Sequence, residues 1–457
     1  MNKIKDYLYV FQLEEYDIFH FKRWVKINTN LDNLSKKKQL KWTLKVKLLY
    51  AISLVIDFIT FHKIPEKSII YANYFILIPE YVLKELIIIS AKIKILTRKD
   101  LLVIGVTGSF GKTSVKEILA YFLSSKYKIL KTPESYNTTL GVSRVILKEL
   151  KREHQIFIVE MGAYKKNDIN KLCNIVKPKI GIITAIGKQH LERFENEKNI
   201  LETKFELASS LPKEGVLFLN GNDEKIVSYA KKYSNIKIKY FGLDKKNSNK
   251  ELVILDTYAS EIKISNNNIS FILHSGGEER KIITNLFGKH NVFNITASSS
   301  VANHLGIDLE KISELSPTIP SIPHRMQIIP GANNTTVIDD SFNANPQSVK
   351  AALSVLSEFP SDLKIIITPG IVELGKDQVR ENKIMGEEMA KIANYIIVVG
   401  ETNKEALVFG MQTGKEKNPD VRFYEVKNLN EAMKILPEIV LPGSVILFEN
   451  DLPDQYS

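Results

Sequence analysis

The segment Gly105-Val-Thr-Gly-Ser-Phe-Gly-Lys-Thr-Ser114 constrains this chain more than any other stretch. It follows the apolar run Leu101–Val106 and precedes Lys112–Leu123, whose apolar residues recur at helical spacing. A glycine-rich turn between a buried strand and a helix aims backbone N–H groups at one point, where the helix N-terminus adds positive potential. A polyphosphate is the expected ligand. Thr107, Gly108, Ser109, Gly111 and Ser114 would cradle it, Lys112 would reach the β and γ phosphates, and the Thr113 hydroxyl would ligate Mg²⁺. Counted from Gly105, the spacing is one residue longer than the strict phosphate-loop pattern. A purely structural glycine turn is the alternative. It leaves unexplained why Gly, Lys and two hydroxyls coincide at a strand–helix junction.

Such a loop needs a parallel sheet around it, and the residues that follow, as far as about 250, read that way. Residues 157–162 (FIVEMG) and 180–187 (IGIITAIG) are short apolar strands. Residues 250–285 break the alternation and read as antiparallel strands around SNNN (265–268) and HSGGEER (274–280), with a helix from Asn291 to about His304. Beyond a proline-rich hinge at Pro317–Pro323, strands are expected at 336–340, 363–370, 395–400, 421–426 and 444–450. Helices would begin near Pro346, Glu381, Asn403 and Asn430. The fold class is α/β: a central P-loop ATPase-like parallel-sheet domain (101–321), then a C-terminal Rossmann-like domain (322–457). A helical, apolar, basic region (1–100) comes first.

That first region carries 18 Lys/Arg against 10 Asp/Glu, which is +8 of the chain's net +11. Residues 1–42 are polar, aromatic and basic, with Lys36, Lys37, Lys38 and Lys41 clustered, and they lack the long apolar core of a signal peptide. Two apolar stretches follow, from Leu48 to Phe61 and from Ser68 to Ala91, separated by a polar turn at His62–Lys67. Charges at Asp57, Glu80, Lys84 and Glu85 interrupt them, so no clean spanning helix is expected. Two readings fit: a pair of buried, partner-packing helices, or an interfacial hairpin on the inner face of the cell membrane. Flanking Lys45, Lys47, Lys92, Lys94, Arg98 and Lys99 suit the second, with both ends cytoplasmic. The charge lies beside apolar runs and not in a stripe on the folded domains, which argues against nucleic acid. The single cysteine, Cys173, excludes a disulfide framework and a cysteine zinc site.

Further motifs recur in order after the glycine loop. They are SYNTTLGV (135–142), FIVEMGA (157–163), GKQHLERF (187–194), TKFEL (203–207), FGKHNVFNITAS (287–298), IPHRMQ (322–327), IDDSFNANPQSVKAAL (338–353) and VELG (372–375). With TGSFGKTSVKE, this series resembles the Mur ligases, the ATP-dependent amide-forming enzymes of peptidoglycan precursor synthesis. The C-terminal signatures are most similar to the branch that adds D-alanyl-D-alanine to a muramoyl-tripeptide. The resemblance covers about residues 101–457. Residues 1–100 do not read like the UDP-binding N-terminal domain usual in the family.

The resemblance implies ATP, Mg²⁺ and an acyl-phosphate intermediate. It assigns Lys112, Glu160, His190 and Lys204 to catalysis, and Thr113, Glu160, His190 and Lys204 to metal. Lys204 would act as a carbamate made with CO₂. On residues alone, Glu160 also fits a salt-bridged strand end, His190 a polar loop histidine, and Lys204 a solvated helix-face charge between Glu202 and Glu206. Asn291, with Asn294 as a weaker companion, would recognise adenine, although both also fit caps or turns. Arg325 would reach back to the phosphates on closure and Asp340 would hold the ribose. Asn137 and Thr138 would orient the sugar or the γ-phosphate, and Asn343, Asn345 and Glu373 would line the site of the incoming amine. The expected partners are a muramoyl-peptide acceptor and D-alanyl-D-alanine, in a cytoplasmic monomer. The competing readings are a folylpolyglutamate- or cyanophycin-type ligase with another acceptor, and a membrane-attached ATP-binding scaffold without activity.

Overall fold

The computed structural model describes residues 2–13, 16, 18–27, 40–60, 65–134, 136–244, 253–265, 268–342 and 344–451. They fall in two compact units, Met1–Ile89 and Ser90–Leu452.

The first unit is helical: α1 (Asn2–Leu13), α2 (Ile18–Ile27), α3 (Leu44–Ile59) and most of α4 (Pro65–Leu96). The reading of residues 1–42 as merely polar and basic missed α1 and α2. Their signal is short but present, since Ile4, Leu8 and Phe11 recur at one-turn spacing. Those three join Phe21, Val46, Leu49, Ile69 and Ile76 in one apolar cluster. Each fully buried side chain of this size contributes about 1.5–3 kcal/mol. Thr43 starts α3 by accepting from the Val46 N–H at 3.2 Å. Pro65 opens α4, where its missing N–H costs nothing. The clustered Lys36–Lys38 and positions 61–64 of the expected turn lie outside the described residues. The helix α4 continues through Pro79 for 32 residues, about 48 Å at the helical rise. Among the described residues no helix is long and apolar enough to cross a membrane.

Asp57, counted above as an interruption, is buried, and Glu80 is paired with Lys45 at 2.7 Å and Lys84 at 2.8 Å. The outward faces of α3 and α4 instead carry Leu48, Val55, Phe58, Ile59, Tyr74, Phe75, Ile78, Tyr81 and Leu83, all exposed. The last turns of α4 belong with the second unit. Lys94 donates to the Ile146 and Leu147 carbonyls at 2.8 and 3.1 Å, and Arg98 donates to those of Lys151, Arg152 and His154. These two cations are therefore engaged with protein carbonyls, whereas the sequence suggested that they flank a lipid-facing hairpin.

The second unit opens with β1 (Leu102–Thr107), α5 (Lys112–Leu123), β2 (Ile129–Lys131), α6 (Thr139–Glu149), β3 (Ile156–Glu160), α7 (Asp168–Val176) and β4 (Ile180–Ile183). Then come the short α8 (Leu191–Phe194), α9 (Glu197–Ser210), β5 (Val216–Asn220), α10 (Glu224–Ala230) and β6 (Lys237–Leu243). A meander, β7 (Thr257–Ile264), β8 (Ile269–Ser275) and β9 (Glu278–Thr284), precedes α11 (Lys289–His304) and α12 (Leu309–Leu315). The sheet order is β2-β3-β1-β4-β5-β6-β7-β8-β9, parallel through β7 and antiparallel beyond. The β8–β9 hairpin turns on Gly276 and Gly277, both at positive φ, the conformation a tight two-residue turn needs. The core beneath joins Ile104, Ile158 and Phe218 to Val115 and Ile118 of α5 and Ile295 of α11.

β1 lies between β3 and β4, so successive connections leave it in opposite directions. The crevice at the strands' carboxyl ends opens there. β4 stops at Ile183, short of the strand expected to Gly187. From Thr184 the chain turns onto the glycine loop: Ser109 N–H donates to the Ala185 carbonyl at 2.7 Å, and the Ser109 hydroxyl to that of Gly187 at 3.1 Å.

A second sheet follows: β10 (Gln327–Pro330), β11 (Thr336–Asp340), β12 (Lys364–Thr368), β13 (Tyr395–Val399), β14 (Arg422–Val426) and β15 (Val445–Glu449). Its order is β10-β11-β15-β12-β13-β14, with only the edge strand β10 antiparallel. Helices α13 (Pro346–Glu358), α14 (Gln378–Ile392), α15 (Lys404–Gly414) and α16 (Leu429–Ile439) connect its strands.

Candidate active site

The glycine loop, the ends of β3 and β4, α9, α11 and the start of the second sheet converge on one cavity of about 410 Å³, a size suited to a small-molecule ligand. Ser109, Gly111, Lys112, Thr113 and Ser114 line it. Gly111 caps α5 at φ +79, and a Cβ there would stand 2.9 Å from Asn294 Oδ1. At Gly108, φ is +148, and a Cβ would collide with the Thr184 hydroxyl at 2.0 Å. Only glycine fits either place. Thr107 is buried behind the loop, its hydroxyl on the Met161 carbonyl at 2.9 Å. Lys112 Nζ folds back onto the Gly108 and Ser109 carbonyls at 2.9 and 3.3 Å. Burial, followed by the opposing influences of Glu160 and Arg325, leaves its pKa at about 8.

Glu160 ends β3 and is 1% exposed. Its Oε1 accepts from Asn137 Nδ2 at 3.1 Å. Its Oε2 has no hydrogen bond and lies 3.5 Å from the fully buried Lys116 Nζ. Lys116 was not singled out from the sequence. It sits one turn beyond Lys112, where an amphipathic pattern assigns a lysine to solvent. Lys204 of α9 is 2% exposed and lines the cavity. Burial first, then the charge of Lys112, lowers its pKa to about 7. It therefore does not sit on a solvated helix face.

His190 lines the cavity at φ +51, and its Nδ1 meets Glu373 Oε2. Burial lowers its pKa, with Glu373 opposing and Lys112 and Lys204 reinforcing. Its ring packs on Tyr164 at 4.7 Å. Arg325 faces the same cavity. It donates to the Phe342 carbonyl at 3.0 Å and its guanidinium covers the Phe342 ring at 4.4 Å. Asp340 lines the cavity too, its pKa raised to about 6 by burial against the opposing charge of Arg325. Across the strand pair it adjoins Glu449, whose wholly buried carboxyl is pushed far up by burial and by Asp340.

A Mg²⁺ ion fits this donor set. Thr113 supplies a hydroxyl and Glu160 a buried oxygen without a hydrogen bond. Mg²⁺ is commonly held by one or two carboxylates plus substrate phosphates, and these two groups offer oxygens of that kind.

Residues 106–302 match the Mur ligase middle domain, and residues 324–449 match the Mur ligase, glutamate ligase domain. A UDP-N-acetylmuramoyl-tripeptide--D-alanyl-D-alanine ligase of Buchnera aphidicola subsp. Baizongia pistaciae is 30% identical over 366 residues, which are 79% of this chain and 77% of the relative. The chain belongs to the Mur ligase family. The crystal structure of MurF from Acinetobacter baumannii superposes with a TM-score of 0.71 at 26% identity, covering 81% of this chain and 78% of that one. MurF ligase from Thermotoga maritima in complex with ADP shares the fold, with a TM-score of 0.70 at 24% identity and 80% of each chain covered.

Several residues of this Mur ligase sit differently from their sequence expectation. Asn291 lies behind the cavity wall, its side-chain Nδ2 donating to the Phe287 carbonyl at 2.7 Å and its Oδ1 accepting from Asn294 Nδ2 at 3.3 Å. Asn294, His290 and Phe293 form that wall. Thr138 is exposed and caps α6 through the Gly141 N–H at 3.2 Å. Asn345 lines the cavity but also caps α13, accepting from Gln347 and Ser348 N–H. Glu373 pairs with His190 and is not among the cavity-lining residues. Asn343 lies outside the described residues. A capping role was legible for Asn345, since Asn-Pro-x-Ser is a helix-start pattern.

Proposed function

We infer that this chain is an ATP-dependent ligase of peptidoglycan precursor synthesis that joins D-alanyl-D-alanine to a muramoyl-tripeptide through an acyl phosphate. The observation that carries the reading is the convergence of Lys112, Glu160, Lys204 and His190 with Arg325 and Asp340 on one cavity. The glycine loop and the α5 N-terminus receive the triphosphate. Lys112 exchanges the Gly108 and Ser109 carbonyls for phosphate oxygens, and Arg325 adds charge from the second sheet. Thr113, Glu160 and a carbamate on Lys204 would hold Mg²⁺, with His190 beside a second ion. The metal would neutralise charge on the transferring phosphoryl group.

A carboxylate oxygen of the tripeptide attacks the γ-phosphorus, and ADP leaves. The free amine of the dipeptide attacks the acyl carbon. Inorganic phosphate departs, and the amine's proton goes to solvent. Here the chain's residues position, neutralise charge and exclude water. Asn294, His290 and Phe293 form the adenine wall, and Asp340 holds the ribose. The hinge at 317–323 permits the two sheets to close.

The direct test is ADP and phosphate release with muramoyl-tripeptide, on a UDP or a lipid carrier, plus D-alanyl-D-alanine. The dipeptide should react faster than any single amino acid. Faster reaction with a single amino acid would move the enzyme to another branch.

The first unit would place this chemistry on the inner face of the cell membrane, where ATP is available. The exposed apolar faces of α3 and α4 support an interfacial and not a spanning attachment. Co-sedimentation of the full chain with anionic vesicles, and not with neutral ones, is the expected result. A full chain that stays in the supernatant with both would leave the helices as a protein-packing unit.

A further inference from the structure

The loop after β4 is held by the second sheet's side of the molecule at several separate points. Lys188 Nζ bridges Asp377 and Glu381 at 2.9 Å each. The Glu192 N–H donates to the Glu373 carbonyl at 3.3 Å. His190 Nδ1 meets the Glu373 carboxylate. Gly187 packs so closely on Gln347 that a Cβ would come within 3.0 Å of its amide oxygen. Both partners of the central contact have left-handed backbones, His190 at φ +51 and Glu373 at φ +63. Such a non-glycine conformation is disfavoured and persists only where its surroundings hold it.

The carboxylate decides a property of the ring. An ionised carboxylate can only accept, so His190 Nδ1 carries the proton and donates. The lone pair is then on Nε2, the nitrogen Glu373 does not touch.

We propose that residues 188–192 and 373–381 form a clasp between the two sheets, in which Glu373 is a positioning residue that fixes the tautomer of His190. Lys188 supplies the clasp's charge and Glu373 its chemistry. The proposal rests on the ligase reading for its kinetic consequence only.

The test uses the full chain labelled with ¹⁵N-histidine, with the His190 signals assigned through His190→Gln. Wild type should show His190 as the Nδ1–H tautomer, and Glu373→Ala should populate the Nε2–H form. In ligation assays Glu373→Ala should lower kcat ten- to a hundredfold and raise the Mg²⁺ concentration for half-maximal rate, the loss typical of an outer partner of a ligating histidine. KM for ATP should stay within about threefold. Glu373→Gln, whose amide oxygen still accepts from Nδ1–H, should recover part of the rate. Lys188→Ala should give an intermediate loss. An unchanged tautomer in Glu373→Ala, or a kcat within twofold of wild type, overturns the proposal. The spectra need no substrate. A wild type that fails to ligate the dipeptide therefore counts against the ligase reading alone.

Discussion

The most prominent exceptions to the rule of apolar inside and polar outside differ between the two units. In Ser90–Leu452 the exceptions are buried charges: Glu160 at a strand end and Lys204 on a helix line one cavity, and Lys116 lies beside Glu160. In Met1–Ile89 they are exposed apolar side chains: Phe58 is 75% exposed, Phe75 71% and Ile78 74%. A buried charge is costly unless something compensates it, so its presence marks a site that a ligand completes. An exposed apolar face costs little in one molecule but is unstable toward any surface that covers it. The first kind of exception points inward to chemistry and the second outward to attachment.

The largest expected effect tests the inward side. Lys112→Ala should lower ligation on the order of a thousandfold, since preorganised charge on a transferring phosphoryl group is lost. Its melting temperature should stay near wild type, because the change removes two bonds to loop carbonyls and no core contact. Wild-type activity in the purified variant would remove the glycine loop from the mechanism.

Lys204 gives the next effect and carries a pH dependence. Only the free amine reacts with CO₂. With a pKa lowered to about 7, the reactive fraction rises as pH increases through about 7 and falls below it. Enzyme stripped of CO₂ should therefore regain activity faster at pH 8 than at pH 6 when the dissolved CO₂ concentration is held equal, and Lys204→Ala should show neither activity nor recovery. A fully active, metal-bound preparation with unmodified Lys204, seen by carbon-13 NMR, would sink the carbamate.

The outward side is tested by Phe75→Asp and Ile78→Asp in the full chain. Each removes an exposed apolar group worth about 1.5–3 kcal/mol if buried in lipid, so vesicle affinity should fall about tenfold or more per substitution. The rate with soluble acceptor should remain within about twofold. Unchanged partitioning would mean that these faces meet something other than lipid.

The smallest effect separates a cap from a ligand. Asn345→Asp keeps the side-chain acceptor for Gln347 and Ser348 N–H, whereas Asn345→Ala loses it at about 1 kcal/mol. Calorimetry should show a melting temperature lowered by about 2–4 °C for the alanine variant only. If the aspartate variant loses activity at wild-type stability, Asn345 contacts substrate as well.

Much of the second unit was readable because its local signals agree. The glycine loop, the apolar strands and the polar helix faces each point to the same α/β alternation. The strands expected at 336–340 and 395–400 appear as Thr336–Asp340 and Tyr395–Val399. Helices α1 and α2 escaped because short amphipathic segments rich in aromatics and lysines give a weak period. The end of β4 escaped because Thr184 and Ala185 are as apolar or β-branched as a strand requires. It is the hydrogen bonds to Thr107 and Ser109 that pull them away.

What the amino-acid sequence determined by itself was the chemistry available: a phosphate cradle, a lysine to reach into it, and carboxylate, histidine and lysine side chains at the ends of apolar strands and on a nearby helix. The cradle and its lysine follow from local spacing, which a one-dimensional pattern carries; Glu160, His190 and Lys204 were assigned through the resemblance to the Mur ligases. Only the tertiary structure decided which groups touch. It set Lys116 beside Glu160, turned Asn291 away from the cavity behind Asn294, and joined His190 to Glu373 across 183 positions of chain. Such pairings depend on sheet order and on the packing of distant elements, and a side chain's burial and charge partners exist only once those elements meet.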